Sequence, residues 1–284
     1  MKFRNSVAEI FVPDGKSGEE ALKRTTQMGF GAHQDDIEIL AFRGILECMH
    51  SGNQWFTGVT CTDGSGSPRA GAYANYSNEE MQVVRWQEQR TAASIGRYSA
   101  MIQLKYPSSA VKDPANRDVA EDMRNILLAA RPSVVYTHNL ADKHDTHLGV
   151  AAKVITALRS LPADQRPKKV YGVEIWRNLD WMPDKDKVVL DATGAEHMAA
   201  ALLGVFDSQI AGGKRYDLAT LGRWRANATF LESHGVDVAQ HSIFAMDLTP
   251  IVSNYKLDVA DYVLSYINKF RDDVKGRLDR FLPR

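Results

Sequence analysis

Cysteine is nearly absent: Cys48 and Cys61 are the only two in 284 residues, too few for a disulfide framework. Each lies in an apolar segment, the setting of a buried free thiol. Long apolar runs are missing as well. No stretch approaches the roughly 20 residues of a membrane span, and Met1 to Glu9 lacks the apolar core of a secretory signal, so the expected location is cytoplasmic. Neither sign of charge dominates, with 35 Lys and Arg against 35 Asp and Glu. That balance gives no electrostatic argument for nucleic acid or an anionic membrane surface as partner. Internal repeats and low-complexity linkers are absent too. The Gly- and Ser-rich stretch from Asp63 to Ala72 has neither the Walker spacing with its Lys nor a G-x-G-x-x-G opening a helix. It reads as an active-site or surface loop, not a phosphate cradle. With 44% hydrophobic residues, the chain can bury one substantial core. It is read as a single domain over 1–284, with 1–24 as an N-terminal extension and 255–284 as a closing helix.

What is present is a pair of His/Asp clusters about a hundred residues apart: Ala32-His33-Gln34-Asp35-Asp36, and His138 through His147 with Asp142, His144 and Asp145 between. His33, Asp36 and His147 supply two imidazoles and a carboxylate, a three-ligand set that leaves one position of Zn²⁺ open. Asp35 and His144 are then left for proton transfer. Each cluster follows an apolar stretch, Met28 to Ala32 and Ser133 to Thr137, and so sits where a strand would end. In open α/β sheets, ligands bind outside the carboxyl ends of the strands.

Strand-like and helix-like segments alternate, which predicts an α/β fold: a Rossmann-like, three-layer arrangement of a mostly parallel sheet flanked by helices. Ile37 to Met49 reads as one apolar helical face, Phe56 to Cys61 as a strand, and Asn78 to Gly96 as a helix. The 4, 3, 4 spacing of Val119, Met123, Ile126 and Ala130 is an amphipathic stripe that Pro132 ends. A strand at 134–137 precedes a helix beginning near His147, with Thr146 as its predicted N-cap. Later strands are predicted at 168–176 and 187–191, then a helix from Ala195 to Ile210. The Arg-, Gly- and Ala-rich segment 212–231 reads as a loop approaching the site. Val259 to Val274 form the closing amphipathic helix, whose aromatic stripe suits core or a subunit interface and leaves a homo-oligomer open.

The motifs carry a family resemblance. Ala32-His33-Gln34-Asp35-Asp36-Ile37-Glu38 resembles the Ala-His-Pro-Asp-Asp-x-Glu signature of the PIG-L/LmbE-like zinc-dependent N-deacetylases, and His144-Asp145-Thr146-His147 resembles their second His-x-x-His element. Val59 to Gly64 is similar to the family's Thr-x-Gly loop, Arg85-x-x-Glu88 to its Arg-x-x-Glu helix, and Phe206 to Gln209 to its Ser-Gln helix end. The matches run in order from residue 27 to 210. Three positions depart: Gln34 replaces the usual proline, the acid of His-Pro-Asp-His has moved to Asp145, and Ser108 follows Pro107 where relatives often carry a sugar-binding aspartate.

The resemblance implies removal of an acetyl or other acyl group from an amino sugar, such as an N-acetylglucosamine conjugate. It implies Zn²⁺, or another divalent metal such as Fe²⁺, on His33, Asp36 and His147. Asp35 would be the general base and His144 the group that assists the oxyanion or protonates the amine. Asp142 or Asp145 would orient the His144 ring and raise its pKa, Asp142 being favoured because Asp145 adjoins a helix start. Arg85 matches a substrate-contacting position, while Arg85 and Glu88 also fit an ordinary i,i+3 ion pair. Glu38 would support the first helix or orient a ligand from behind, and His138 would act behind the ligands or as a structural histidine. His50, His197, His234 and His241 have no motif context, though His234 and His241 fall where relatives often build a substrate rim. Hydrolysis of another bond, such as a phosphoester, and a non-catalytic metal-retaining binding protein are the alternatives.

Overall fold

The runs at 27–31, 56–62 and 100–106 are buried along their whole length, as central strands of a parallel sheet covered on both faces must be. The computed structural model describes residues 1–283. Among these, eight strands form one sheet: β1 (Glu9–Phe11), β2 (Gln27–Gly31), β3 (Phe56–Thr62), β4 (Ala100–Tyr106), β5 (Val134–His138), β6 (Lys169–Val173), β7 (Val188–Asp191) and β8 (Ser242–Asp247). Their order is β1-β4-β3-β2-β5-β6-β8-β7. β4, β3, β2, β5 and β6 are mutually parallel, while β1 pairs antiparallel with β4, and β8 with both β6 and β7. The expected α/β fold with a mostly parallel sheet is borne out.

Twelve α-helices and three short 3-10 turns accompany the sheet among the described residues, the α-helices being α1 (Gly18–Lys23), α2 (Asp36–Leu40), α3 (Phe42–His50), α4 (Asn78–Ile95), α5 (Ser108–Lys112), α6 (Asp118–Ala130), α7 (Asp145–Arg159), α8 (Glu196–Gly204), α9 (Asp207–Ile210), α10 (Tyr216–Phe230), α11 (Thr249–Ser253) and α12 (Val259–Phe281). They build two cores. One joins α1, α6, α7 and α11 to one face through Met28, Phe30, Val135 and Val170. The other joins α2, α3, α8 and α10 to the opposite face, with Phe42 stacked on Trp224 at 5.1 Å. None of the described helices is long and apolar enough to cross a membrane. Both cysteines are free and buried.

Several local expectations are corrected. The helix predicted over 37–49 breaks at Ala41 (φ −119°, ψ 14°) into α2 and α3. Segment 212–231 is largely the helix α10, not a loop. The helix predicted over 195–210 breaks around Val205 and Phe206 into α8 and α9. The predicted strand 168–176 stops at Val173. The cap of α7 is His144, not Thr146: its imidazole Nδ1 accepts the Thr146 N–H at 3.3 Å.

Glu38 is sealed in the second core, accepting from Tyr98 Oη at 2.7 Å and Gln89 Nε2 at 2.8 Å. Burial pushes its carboxyl up from 4.5 to about 7, only partly offset by those bonds. The folded chain therefore holds this proton more tightly than the unfolded chain, so the contribution of Glu38 to stability is fully present below pH ~4 and is lost as pH rises toward 7. The difference between 4.5 and about 7 corresponds to roughly 3 kcal/mol. Glu38→Gln should flatten that decline between pH 5 and 7.5 in urea titrations. A slope remains from Glu174, which burial also raises to about 7. An unchanged decline in the variant would show that Glu38 is charged in the folded protein.

Candidate metal centre

From β2 the chain moves outward to β3 and β4, then returns to place β5 on the other side of β2. The crevice between the carboxyl ends of β2 and β5 is thus a topological switch point, where α/β sheets bind ligands. Both His/Asp clusters open into it. Thr62 pins the end of β2 through N–H and Oγ1 bonds to Ala32 O at 2.9 and 2.7 Å. At Gly31 a Cβ would meet Asp36 Cβ at 2.9 Å, so only glycine lets α2 fold back closely onto the strand. Asp35 pays for this tight turn with φ +111°, a strained region for a residue other than glycine.

Asp36 is the hub. Its Oδ2 accepts the His33 backbone N–H at 2.6 Å and lies 3.3 Å from His33 Nδ1 and 3.2 Å from His138 Nε2. Its Oδ1 is 3.5 Å from His147 Nε2, and His147 Nε2 is 3.3 Å from His33 Nδ1. Burial alone would raise the Asp36 carboxyl, but the surrounding imidazoles, His147 first, outweigh it and hold Asp36 well below the usual range. Asp35 goes the other way. Burial raises it well above the usual range, with Asp36 and Glu38 adding to the effect and Arg85, 3.8 Å away, only partly offsetting it. Two adjacent carboxylates pushed apart in this way are suited to different tasks.

Tetrahedral ligand atoms with bonds of about 2.0–2.1 Å lie about 3.3 Å apart. His33 Nδ1 is 3.3 Å from His147 Nε2 and from Asp36 Oδ2, while His147 Nε2 is 3.5 Å from the other carboxylate oxygen, Asp36 Oδ1, so the three side chains stand at about the spacing of such a site with the carboxylate turned between the two rings. Asp142 Oδ2 holds His147 Nδ1 at 3.0 Å and also accepts the Ile175 N–H at 3.3 Å. With its Nδ1–H given to the carboxylate, His147 presents the Nε2 lone pair to the cluster, the usual carboxylate–histidine–metal relay. Taking one donor atom from each residue, the groupings whose atoms all lie within 4.8 Å of one another are His33, His144 and His147, and Asp36, His138 and His147; the three residues expected from the sequence are shared between them.

Asp142 therefore orients His147, not His144 as expected, because its side chain reaches the neighbouring ring and touches His144 only through the backbone N–H at 3.4 Å. Asp145 is exposed at the start of α7. No carboxylate bonds the His144 ring, and its pKa is lowered, by burial first and then by His147 and His33. His144 is neutral, and since Nδ1 accepts from Thr146, its proton is on Nε2. His138 is neutral as well, pushed down to about 4 by burial and His147. Its Nε2 accepts the Ala32 N–H at 2.9 Å, so that nitrogen carries no proton for Asp36 Oδ2, 3.2 Å away.

Arg85 is buried, donates to Gln34 O, and has Nε and Nη1 without a protein partner. It does not pair with Glu88, whose carboxylate takes the Ser208 N–H and Oγ–H, both at 2.7 Å. The Arg-x-x-Glu and Ser-Gln elements thus meet through Glu88, leaving Arg85 facing the cavity. Glu38 contacts none of the candidate ligands. Neither His234 nor His241 lines the cavity, a space of about 510 Å³. Its wall instead includes Trp176, Lys214 and Tyr216, which carry no motif, and Ser108 and Lys112 of α5. Trp176 stacks on His144 at 6.1 Å and meets Tyr216 edge-on at 6.1 Å.

Residues 28–158 match the family model PIG-L, described as GlcNAc-PI de-N-acetylase. No curated protein matches the chain. Among solved structures, the N,N'-diacetylchitobiose deacetylase of Pyrococcus horikoshii superposes with a TM-score of 0.61 at 13% identity, covering 85% of this chain and 90% of that one. The zinc inhibited form of a teicoplanin deacetylase gives 0.59 at 13% identity, covering 78% and 97%. The 4-carboxy-2-hydroxymuconate hydratase of Pseudomonas putida gives 0.55 at 15% identity, covering 79% and 96%. At these identities the likeness is one of fold.

Proposed function

We propose, from the PIG-L resemblance that the family model bears out over residues 28–158, that this chain is a metal-dependent N-deacetylase acting on an amino sugar such as an N-acetylglucosamine conjugate. The observation that carries this reading is the convergence of His33, Asp36 and His147, a donor triangle in which Asp36 turns one oxygen to each ring, with the protonatable Asp35 beside it. The deacetylases among the structural neighbours support it. The hydratase on the same fold is a reminder that fold alone does not fix chemistry, so the reading rests on the site.

His33 Nδ1, Asp36 and His147 Nε2 would hold Zn²⁺ or another divalent ion such as Fe²⁺. Zinc there supplies a water of lowered pKa and a Lewis acid for the amide carbonyl. Asp35 takes the proton from the attacking water and returns it to the leaving nitrogen, a role that its raised proton affinity suits. His144 turns its Nε2–H toward the carbonyl oxygen as negative charge develops. Arg85, on the cavity wall beside Asp35, would place a positive charge next to the bound substrate. Zinc-loaded protein given N-acetylglucosamine conjugates and phosphoesters should release acetate only. Phosphate would favour phosphoester hydrolysis, and neither product a binding role.

Because Asp142 fixes the His147 tautomer, Asp142→Asn should weaken zinc binding by about 10–100-fold, read by chelator competition. An unchanged Kd would mean that the His147 ring is held without the carboxylate.

A further inference from the structure

A second pocket, of about 160 Å³, adjoins the main cavity and shares Ile39, Ile175, Trp176 and Tyr216 with it. This shared lip adjoins the candidate reaction centre. Ile39 follows Asp36 by one turn of α2, the Ile175 N–H is bonded to Asp142, and Trp176 stacks on His144. Beyond the lip, Val173, Trp224, Ile243 and Phe244 line the pocket. Three of the polar residues on its wall are engaged within the protein. Arg223 donates to Ile175 O, Asn227 bonds Asn178 and Ser242 O, and Glu174 accepts from Leu179 N–H and Trp181 Nε1. The main cavity differs, since Asp35, Asp36, Lys112, His144 and Lys214 line it. The space beyond the lip is therefore suited to an apolar group, and the main cavity to a polar one.

Resting on the deacetylase reading above, we infer that this side pocket receives the hydrocarbon tail of the acyl group, and that the preferred substrates carry a linear acyl chain of about four to six carbons rather than acetyl. An apolar cavity of ~150 Å³ accommodates a six-carbon ligand, which sets the length. The amide carbonyl would lie at the donor triangle, the sugar in the polar main cavity, and the chain would pass between Ile39 and Trp176. Each methylene taken from water is worth roughly three- to fourfold in affinity or in kcat/KM, so hexanoyl, four methylenes longer, should exceed acetyl by about a hundredfold if all four are buried and by at least about tenfold if half are.

Two measurements test this. The first compares amine release from N-acetyl-, N-butanoyl- and N-hexanoylglucosamine by wild type and by Ala219→Trp, a substitution at an exposed position of the pocket wall. The second is calorimetry of sodium hexanoate against sodium acetate on both zinc-loaded proteins. The expected result is a hexanoyl-to-acetyl kcat/KM ratio of ten or more, tighter binding of hexanoate, and loss of both preferences in Ala219→Trp. Cleavage of acetyl as well as or better than hexanoyl, with hexanoate bound no more tightly than acetate, would overturn the acyl pocket and leave the deacetylase intact. If no amine is released from any of the three, the deacetylase reading fails, and the calorimetric preference alone decides whether the pocket takes an acyl-sized chain.

Discussion

Asp35→Asn is expected to keep its metal and lose most of its turnover, with kcat down by about 10²–10⁴-fold, the usual contribution of a positioned general base. Asparagine is the informative replacement. It tolerates positive φ better than most residues, so the strained turn at φ +111° survives, whereas alanine would add a backbone penalty to any chemical one. It also preserves shape beside Arg85 and removes only the capacity to take a proton. Metal content and kcat must be measured on the same preparation. Near-wild-type kcat with full metal would show that the proton goes elsewhere, with His144 the next group to test.

His147→Ala is expected to have a larger effect, because it removes one corner of the donor triangle and strands its support. Asp142 would be left buried without the ring it holds at 3.0 Å, and Asp36 would lose the imidazole that does most to keep it ionised. Loss of an outer partner alone costs about 10–100-fold in metal affinity, so loss of the ligand itself should exceed that and take turnover to background. Elemental analysis of dialysed wild type and variant reads the result directly. Undiminished zinc in His147→Ala would remove this residue from the ligand set.

The clusters were legible in sequence because both lie directly after strands whose apolar runs are unmistakable, and the parallel sheet then carries their residues to one crevice. The side-chain pairings within the crevice were not legible. Asp142 lies two residues before His144 and five before His147, and sequence proximity favoured the wrong ring; the turn into α7 brings its carboxylate to Nδ1 of His147 instead. The N-cap was misplaced for a related reason, since a histidine Nδ1 accepts a backbone N–H as a Thr hydroxyl would, and propensity gives it little weight. Helix α10 was hidden because its inward face is Thr220, Trp224, Asn227 and Ala228. The helical spacing is there, but half of it is carried by polar side chains that bury through hydrogen bonds such as Asn227 to Ser242 O. No glycine or proline marks the break at Ala41. Strand β8 escaped because a short buried apolar run has no periodicity to distinguish strand from helix.

Crystals soaked in zinc and measured at the zinc absorption edge provide the most direct test of the metal centre. The expected result is one anomalous peak at about 2.0–2.2 Å from His33 Nδ1, an Asp36 carboxylate oxygen and His147 Nε2, with Asp35 beside it but not bonded to it. A peak held by His33, His144 and His147 without Asp36, or by Asp36, His138 and His147 without His33, would contradict the ligand assignment. No peak in the crevice would contradict the metal centre itself.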